Sequence, residues 1–220
     1  MDVFVTGGTG YIGRPLVAEL VRRGHSVAAL VRAGSEPRLP VGATPVPGDA
    51  VEAESFAGRV APAKTFVQLV GVSHPSPAKA AQFRSVDLAS VRASAEAAAG
   101  AGVEHFVYLS VAQPAPAIMK EYAAVRAEGE AIVRATGMNA TFLRPWYVLG
   151  PGHRWPYLLL PAYWIAERLP RTRDTARRIG LVTLPQMVAA LVRAIETPAR
   201  GVRIVEVPEI RTPEIQRRVS

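Results

Sequence analysis

Glycine spacing constrains this chain more than any other feature. The run Thr6-Gly7-Gly8-Thr9-Gly10-Tyr11-Ile12-Gly13 sets Gly7, Gly10 and Gly13 three residues apart. Ahead of it, Asp2 to Val5 is an apolar run of strand length; behind it, Tyr11 to Arg23 carries Ile12, Leu16, Val17, Leu20 and Val21 at the helical period. Strand, tight turn and helix in that order suit a backbone that closes on a pyrophosphate. Glycine permits the turn, removes the Cβ where the chain nears the phosphate and lets the helix pack on the sheet, while the helix N-terminus offers unpaired N–H groups. Thr6, Gly7, Gly10, Tyr11, Ile12 and Gly13 are therefore candidate cofactor-binding residues. An ordinary glycine-rich turn is the alternative, and the flanking strand and helix weigh against it.

The alternation continues. Strand-length runs lie at Ser26 to Val31, Thr44 to Val46, Thr65 to Val70, His105 to Leu109 and Ala140 to Leu143, with helical stretches at Ala78 to Ala99 and Met119 to Thr136. Near-continuous apolar strands separated by helices predict an α/β fold, a Rossmann-type doubly wound parallel sheet with helices on both faces. At 220 residues the chain is expected to be one domain, since domains run to roughly 100–200 residues. Beyond Gly150 the pattern changes to an aromatic stretch, an arginine-rich link, Leu181 to Thr183, a helix from Pro185 to Glu196 and a strand at Arg203 to Val207. Residues 151–220 are expected to form a small closing, substrate-side segment of the same domain.

Cofactor choice turns on the end of the second strand, where an Asp or Glu would accept from the ribose 2′-hydroxyl of NAD. This chain has Leu30-Val31-Arg32, and no carboxylate until Glu36. Arg32 suits a 2′-phosphate through a charge-assisted pair, with Arg14 in the first helical turn as a second donor. NADP is expected rather than NAD; solvated surface arginines are the alternative. Asp49, after the third strand, sets a carboxylate near the adenine edge or caps the segment that follows it. Val70 and Gly71 offer a close backbone approach to the cofactor ribose, or a plain strand-end turn.

A second group of residues carries proton chemistry. Ser110 follows the strand His105 to Leu109, and Tyr122 and Arg126, four apart, share one helix face. The segments TGGTGYIG, LVR, GD, HFVYLS, EYAAVRAEGE and LRPWYVLGPG, in that order, resemble the short-chain dehydrogenase/reductase superfamily. They are most similar to its atypical and extended NAD(P)H-binding members, such as complex I subunit-like and nitrogen-regulator-like proteins. The resemblance covers most of residues 1–150, and the segment from Leu181 to Pro208 is similar to the closing part of such proteins. It implies that Tyr122 exchanges a proton with a carbonyl or alcohol, that Ser110 orients that oxygen, and that Arg126 binds the nicotinamide ribose and stabilises the phenolate. Active members carry lysine where this chain has Arg126, which keeps the charge on a larger, planar head. Pro145 falls where the family sets backbone against the nicotinamide. The expected function is an NADP(H)-dependent oxidoreductase moving hydride to or from a small apolar or aromatic carbonyl or quinone-like substrate. The alternative, kept open by Arg126, is a non-catalytic NAD(P)H-binding redox sensor or complex-accessory protein.

Composition removes other classes. The formal charge is +8, but all of the 26 basic residues except Lys64, Lys79 and Lys120 are arginine, and they are scattered. Nucleic-acid binding has only this charge behind it. The densest group, Arg168, Arg171, Arg173, Arg177 and Arg178, suits phosphate on a ligand, a nucleic acid or a membrane surface. Zero cysteines exclude disulfides and thiolate chemistry, and His25, His74, His105 and His153 lack metal-ligand spacing, so no metal is expected. The opening MDVFVTGG has no secretory pattern, and a cytoplasmic location is expected. The apolar stretch Trp155 to Ala166 is well short of the ~20 residues that span a bilayer, although membrane-surface contact is open. Trp146, Trp155 and Trp164 cluster with Tyr147, Tyr157 and Tyr163, as a substrate pocket, a dimer patch, a membrane-facing surface or core under a lid would require.

Overall fold

Successive residues of a strand face opposite sides of its sheet, and β1 (Asp2–Thr6) sends Val3 and Val5 to one face and Phe4 to the other. The computed structural model, which describes residues 1–114, 116–151 and 178–212, repeats this division in three further strands. In β4 (Thr65–Gln68), β5 (His105–Leu109) and β6 (Asn139–Arg144) the pairs are Phe66/Val67, Phe106/Val107 and Phe142/Leu143. Phe4, Phe66 and Phe106 lie in register on neighbouring strands, with ring centroids 5.2 Å apart at each step.

With β2 (Ser26–Val31), β3 (Thr44–Pro47) and β9 (Val202–Glu206) these strands form an all-parallel seven-stranded sheet in the order β3-β2-β1-β4-β5-β6-β9. α1 (Gly13–Arg22) and α5 (Leu184–Glu196) cover the valine face through Leu16, Val17, Leu20, Met187, Leu191 and Ile195. α3 (Ala89–Gly100) and α4 (Lys120–Ala135) cover the phenylalanine face through Val91, Ala95, Val125 and Val133. This is the expected doubly wound, Rossmann-like arrangement. Strand order reverses between β1 and β4, so their carboxyl ends open a crevice where such folds take ligands.

Three local features depart from the sequence expectation. The stretch expected as one helix from Ala78 begins as a short α2 (Ala80–Gln82) and widens into a π-helical turn, Phe83–Leu88, before α3. The wide turn buries Phe83, Asp87 and Leu88 together, which a regular 3.6-residue period does not express. The strand expected to reach Val70 ends at Gln68, whose side chain turns into the buried interior. A short β7 (Tyr147–Leu149) follows the break at Pro145 and pairs in parallel with β8 (Leu181–Thr183), apart from the main sheet. α5 then starts from a reciprocal cap, in which Thr183 accepts from the Gln186 N–H and Gln186 accepts from the Thr183 N–H.

Trp155, Tyr157, Tyr163, Trp164, His153, Arg168, Arg171, Arg173 and Arg177 lie outside the described residues. Among the described residues no helix is long and apolar enough to cross a membrane.

His105 sits inside the sheet on β5, buried, with Nε2 2.9 Å from the Thr141 hydroxyl. Burial disfavours its charged form and pulls its pKa down to about 4. The unfolded chain takes up this proton near pH 6.5 and the folded chain only near 4, so stability falls as pH drops through that window. The full loss is about 3 kcal/mol. Glu19, held at about 2 by hydrogen bonds from Arg22 and Arg23, adds its own loss as pH falls from 4.5 toward 2, so it enters only at the bottom of the window. Urea unfolding of His105→Gln should show a markedly flatter dependence of stability on pH between 6.5 and 4 than the parent; identical slopes would refute the assignment.

Candidate active site

The glycine turn is tight enough that two of its glycines have no substitute. Gly7 adopts φ +76°, and its carbonyl accepts from the Gly10 N–H at 3.0 Å. A Cβ on Gly13 would overlap that same carbonyl, so the first residue of α1 packs directly on the turn. No side chain caps α1 and no acidic residue occupies its first turn, which leaves its positive end to an anionic ligand. A Cβ on Gly7 would come within 3.1 Å of the Leu69 and Val70 backbone, so the exits of β1 and β4 nearly touch at the crevice. Ile12 packs on the valine-face core, and a Cβ on Gly150 would overlap the Tyr11 hydroxyl. Together these features fit a dinucleotide pyrophosphate at the turn.

Thr6 directs its hydroxyl inward to Gln68 Oε1. Gln68 then bonds Ser90 Oγ through Nε2 at 3.0 Å, and Ser90 donates to the Asp87 carbonyl at 3.1 Å. The Val70 N–H turns back on Gln68 Oε1 at 3.4 Å. Arg14 and Arg32 are exposed, and neither is ion-paired among the described residues. Asp49 is exposed, with Oδ1 accepting from the Val51 N–H at 3.1 Å; the carboxylate thus closes its own loop. Pro145 is buried, and its carbonyl accepts from the Ala112 N–H at 3.0 Å.

Tyr122, Arg126 and Glu130 follow one another at four-residue spacing along α4, but they face different partners. Tyr122 is half-buried, its ring 5.0 Å from Phe83 and 5.2 Å from the Arg126 guanidinium carbon. Arg126 is buried: Nη2 lies 2.6 Å from Asp87 Oδ1 and Nη1 donates to the Leu109 carbonyl at 3.0 Å. Asp87 Oδ2 accepts from the Val72 N–H at 3.0 Å. Burial pushes the Asp87 carboxyl up, against the pull of Arg126 and the Val72 N–H. Burial works against the Arg126 charge as well, yet Tyr122, Tyr108 and Asp87 hold that guanidinium above its ordinary value. A Cβ on Gly71 would overlap Arg126 Nη2, so this glycine makes room for a side chain of the protein itself.

Ser110 is buried and donates to Glu130 Oε1 at 2.7 Å. Glu130 also takes Arg144 in a two-pronged pair, Nε to Oε1 at 2.9 Å and Nη2 to Oε2 at 2.6 Å, while Arg144 Nη1 reaches Glu206 at 3.3 Å. Glu130 lies about 12 Å along the helix from Tyr122 at 1.5 Å per residue, and no hydrogen bond joins Ser110 to Tyr122. The structure therefore brings Tyr122 and Arg126 together and places Ser110 in a separate cluster. Sequence reasoning missed Asp87 and Glu130. Glu130 stands one turn after Arg126 on the face already singled out, a signal open to the helical period; Asp87 depends on the π turn and had none.

The model of a family described as NAD(P)H-binding matches residues 7–154. The chain belongs to this family. In fold it resembles a short-chain dehydrogenase/reductase superfamily protein from Agrobacterium tumefaciens with bound NAD, with TM-score 0.68 and 19% identity over 94% of this chain and 77% of that one. It is 30% identical to the ceramide reductase of Caulobacter vibrioides over 95% of this chain and 65% of that protein. It is 31% identical to a 3-diazoavenalumate denitrifying reductase of a Streptomyces species, over 91% of this chain and 74% of that one. The chain thus spans just under two thirds of the ceramide reductase's length. In structure it resembles MoeE5 in complex with UDP-glucose and NAD, with TM-score 0.69 and 22% identity, covering 96% of this chain and 79% of that one. It likewise resembles Bordetella bronchiseptica WbmH in complex with NAD+, with TM-score 0.70 and 19% identity over 93% and 75% of the two chains. These structural likenesses carry the fold.

Family membership makes the glycine turn testable by binding alone. Gly13→Ala, whose Cβ would overlap the Gly7 carbonyl, should weaken NADPH binding at least about tenfold in a fluorescence titration. Gly100→Ala, where a Cβ meets nothing within 4 Å, should leave it unchanged. Equal affinities in the two variants would remove the turn from the site.

Proposed function

We propose that the chain is an NADP(H)-dependent oxidoreductase acting as a reductase on a small apolar or aromatic carbonyl or quinone-like substrate. The observation that carries this reading is Tyr122, a half-buried hydroxyl-bearing side chain stacked on a guanidinium at the carboxyl edge of the sheet, where the glycine turn also lies. Similarity to two proteins named as reductases supports the direction. When bound, the reduced nicotinamide would supply the hydride. The turn from Gly7 to Gly13 and the start of α1 hold the pyrophosphate, and Tyr122 Oη gives its proton to the substrate oxygen.

Arg32 supports the choice of NADP: it is exposed directly after β2, with no ion pair to displace among the described residues, where a NAD-binding chain would carry a carboxylate. A charge-assisted phosphate contact contributes about 1.5–3 kcal/mol, or roughly tenfold and more in affinity. Calorimetry should therefore find NADP bound more tightly than NAD, and Arg32→Ala should erase most of the difference; equal affinities in the parent chain would count against NADP.

The second reading, a non-catalytic sensor or accessory protein, is favoured by the commitment of Ser110 to Glu130 and of Arg126 to Asp87. The two readings separate on turnover. Tyr122→Phe should cut NADPH oxidation with a carbonyl or quinone panel by the ~10²–10⁴-fold typical of lost acid–base catalysis, with cofactor affinity nearly intact. Absence of turnover in the parent chain across that panel would select the sensor reading.

A further inference from the structure

A cation beside a tyrosine ordinarily pulls its hydroxyl toward phenolate. Here the cation is answered by a carboxylate, and the pairing is built into the backbone. The π-helical turn Phe83–Leu88 delivers Asp87 into the interior. The Val72 N–H fixes one of its oxygens at 3.0 Å, and the other lies 2.6 Å from Arg126 Nη2. At Gly71 a Cβ would overlap Arg126 Nη2 and sit 3.0 Å from Asp87 Oδ1, so only glycine admits the pair. The Leu109 carbonyl holds Nη1 at 3.0 Å, which fixes the guanidinium as a shelf 5.2 Å from the Tyr122 ring centre and 5.8 Å from that of Tyr108.

We propose that Asp87 is a positioning residue that cancels the charge of Arg126 at Tyr122, so that the tyrosine meets its substrate as a neutral proton donor suited to reduction. This inference rests on the reductase reading above. In that direction hydride adds to the carbonyl carbon, the C=O π pair moves onto oxygen, and the Tyr122 O–H bond breaks to protonate that oxygen. The dihydronicotinamide is oxidised, the carbonyl is reduced, and water returns the proton to Tyr122. The reverse reaction needs the tyrosine deprotonated first, which a lone cation would promote and a neutral pair does not. Arg126, on its own helix, faces the tyrosine ring, Tyr108 on β5 interacts with it electrostatically, and Asp87 on the π turn reaches it only through Arg126. Glu130, one turn further, is paired with Arg144.

Ultraviolet phenolate absorbance of the cofactor-free protein, followed against pH, tests the coupling. Asp87→Asn keeps the size of the side chain and an acceptor for the Val72 N–H but removes the charge. One tyrosine should then ionise about one pH unit or more lower than in the parent, within the range an unscreened neighbouring charge produces. The shift should vanish in Asp87→Asn/Tyr122→Phe, and the titration should return to the parental position in Asp87→Asn/Arg126→Gln. Arg126→Gln alone should move the titration the opposite way, and it decides the matter if Asp87→Asn does not fold. An unmoved titration in the folded single variants, or a shift that survives Tyr122→Phe, overturns the proposal. Neither cofactor nor substrate enters this measurement. Its failure leaves the reductase reading standing, whereas a shifted titration with no NADPH oxidation in the parent chain strikes that reading alone.

Discussion

A guanidinium taken out of water costs several kcal/mol unless its partners are in place, and Arg126 is almost wholly out of water. Its partners come from three parts of the fold: Asp87 from the π turn before α3, the Leu109 carbonyl from the end of β5, and the rings of Tyr108 and Tyr122. None can shift far without leaving a buried charge exposed to the low-dielectric interior. The helices on the phenylalanine face are therefore fixed relative to the carboxyl ends of β4 and β5. Asp87 extends the constraint further, because its own carbonyl receives Ser90, which receives Gln68, which receives Thr6 at the exit of β1. One polar chain thus crosses the edge where the strand order reverses.

The glycines belong to the same constraint. Gly13 lets α1 sit on the Gly7 carbonyl, Gly7 lets the exits of β1 and β4 approach, and Gly71 admits the guanidinium. Two of these serve backbone packing at the crevice, and the third serves a charged side chain. Reading all three as room for a cofactor, as their spacing after strands suggests, merges two different physical demands.

The fold was legible because its signals are local. The strand–turn–helix around Gly7 to Gly13 and the near-continuous apolar runs of strand length between helical stretches follow from local pattern and need no tertiary knowledge. The strand-end position of Arg32 was legible for the same reason. Partners of buried polar groups were not. Ser110 and Glu130 are 20 residues apart and meet only once β5 and α4 are packed. Asp87 faces inward through a π turn that no regular period displays. Asp49 had two readings from sequence, and its Oδ1 accepts from the Val51 N–H within its own turn, a contact set by packing of the loop.

Arginine illustrates how far composition alone can mislead. The basic residues behind the formal charge of +8 differ physically in what they meet, and four of them mark the extremes. Arg126 and Arg144 are spent on Asp87 and Glu130, in geometries good enough to offset desolvation, and contribute little field outside the protein. Arg14 and Arg32 remain exposed and unpaired among the described residues, one in the first turn of α1 and one just past β2. Of the four, only the exposed pair can meet an incoming phosphate without first breaking an ion pair. What the charge can do for a ligand therefore depends on position, at the start of α1 and just past β2, rather than on its total.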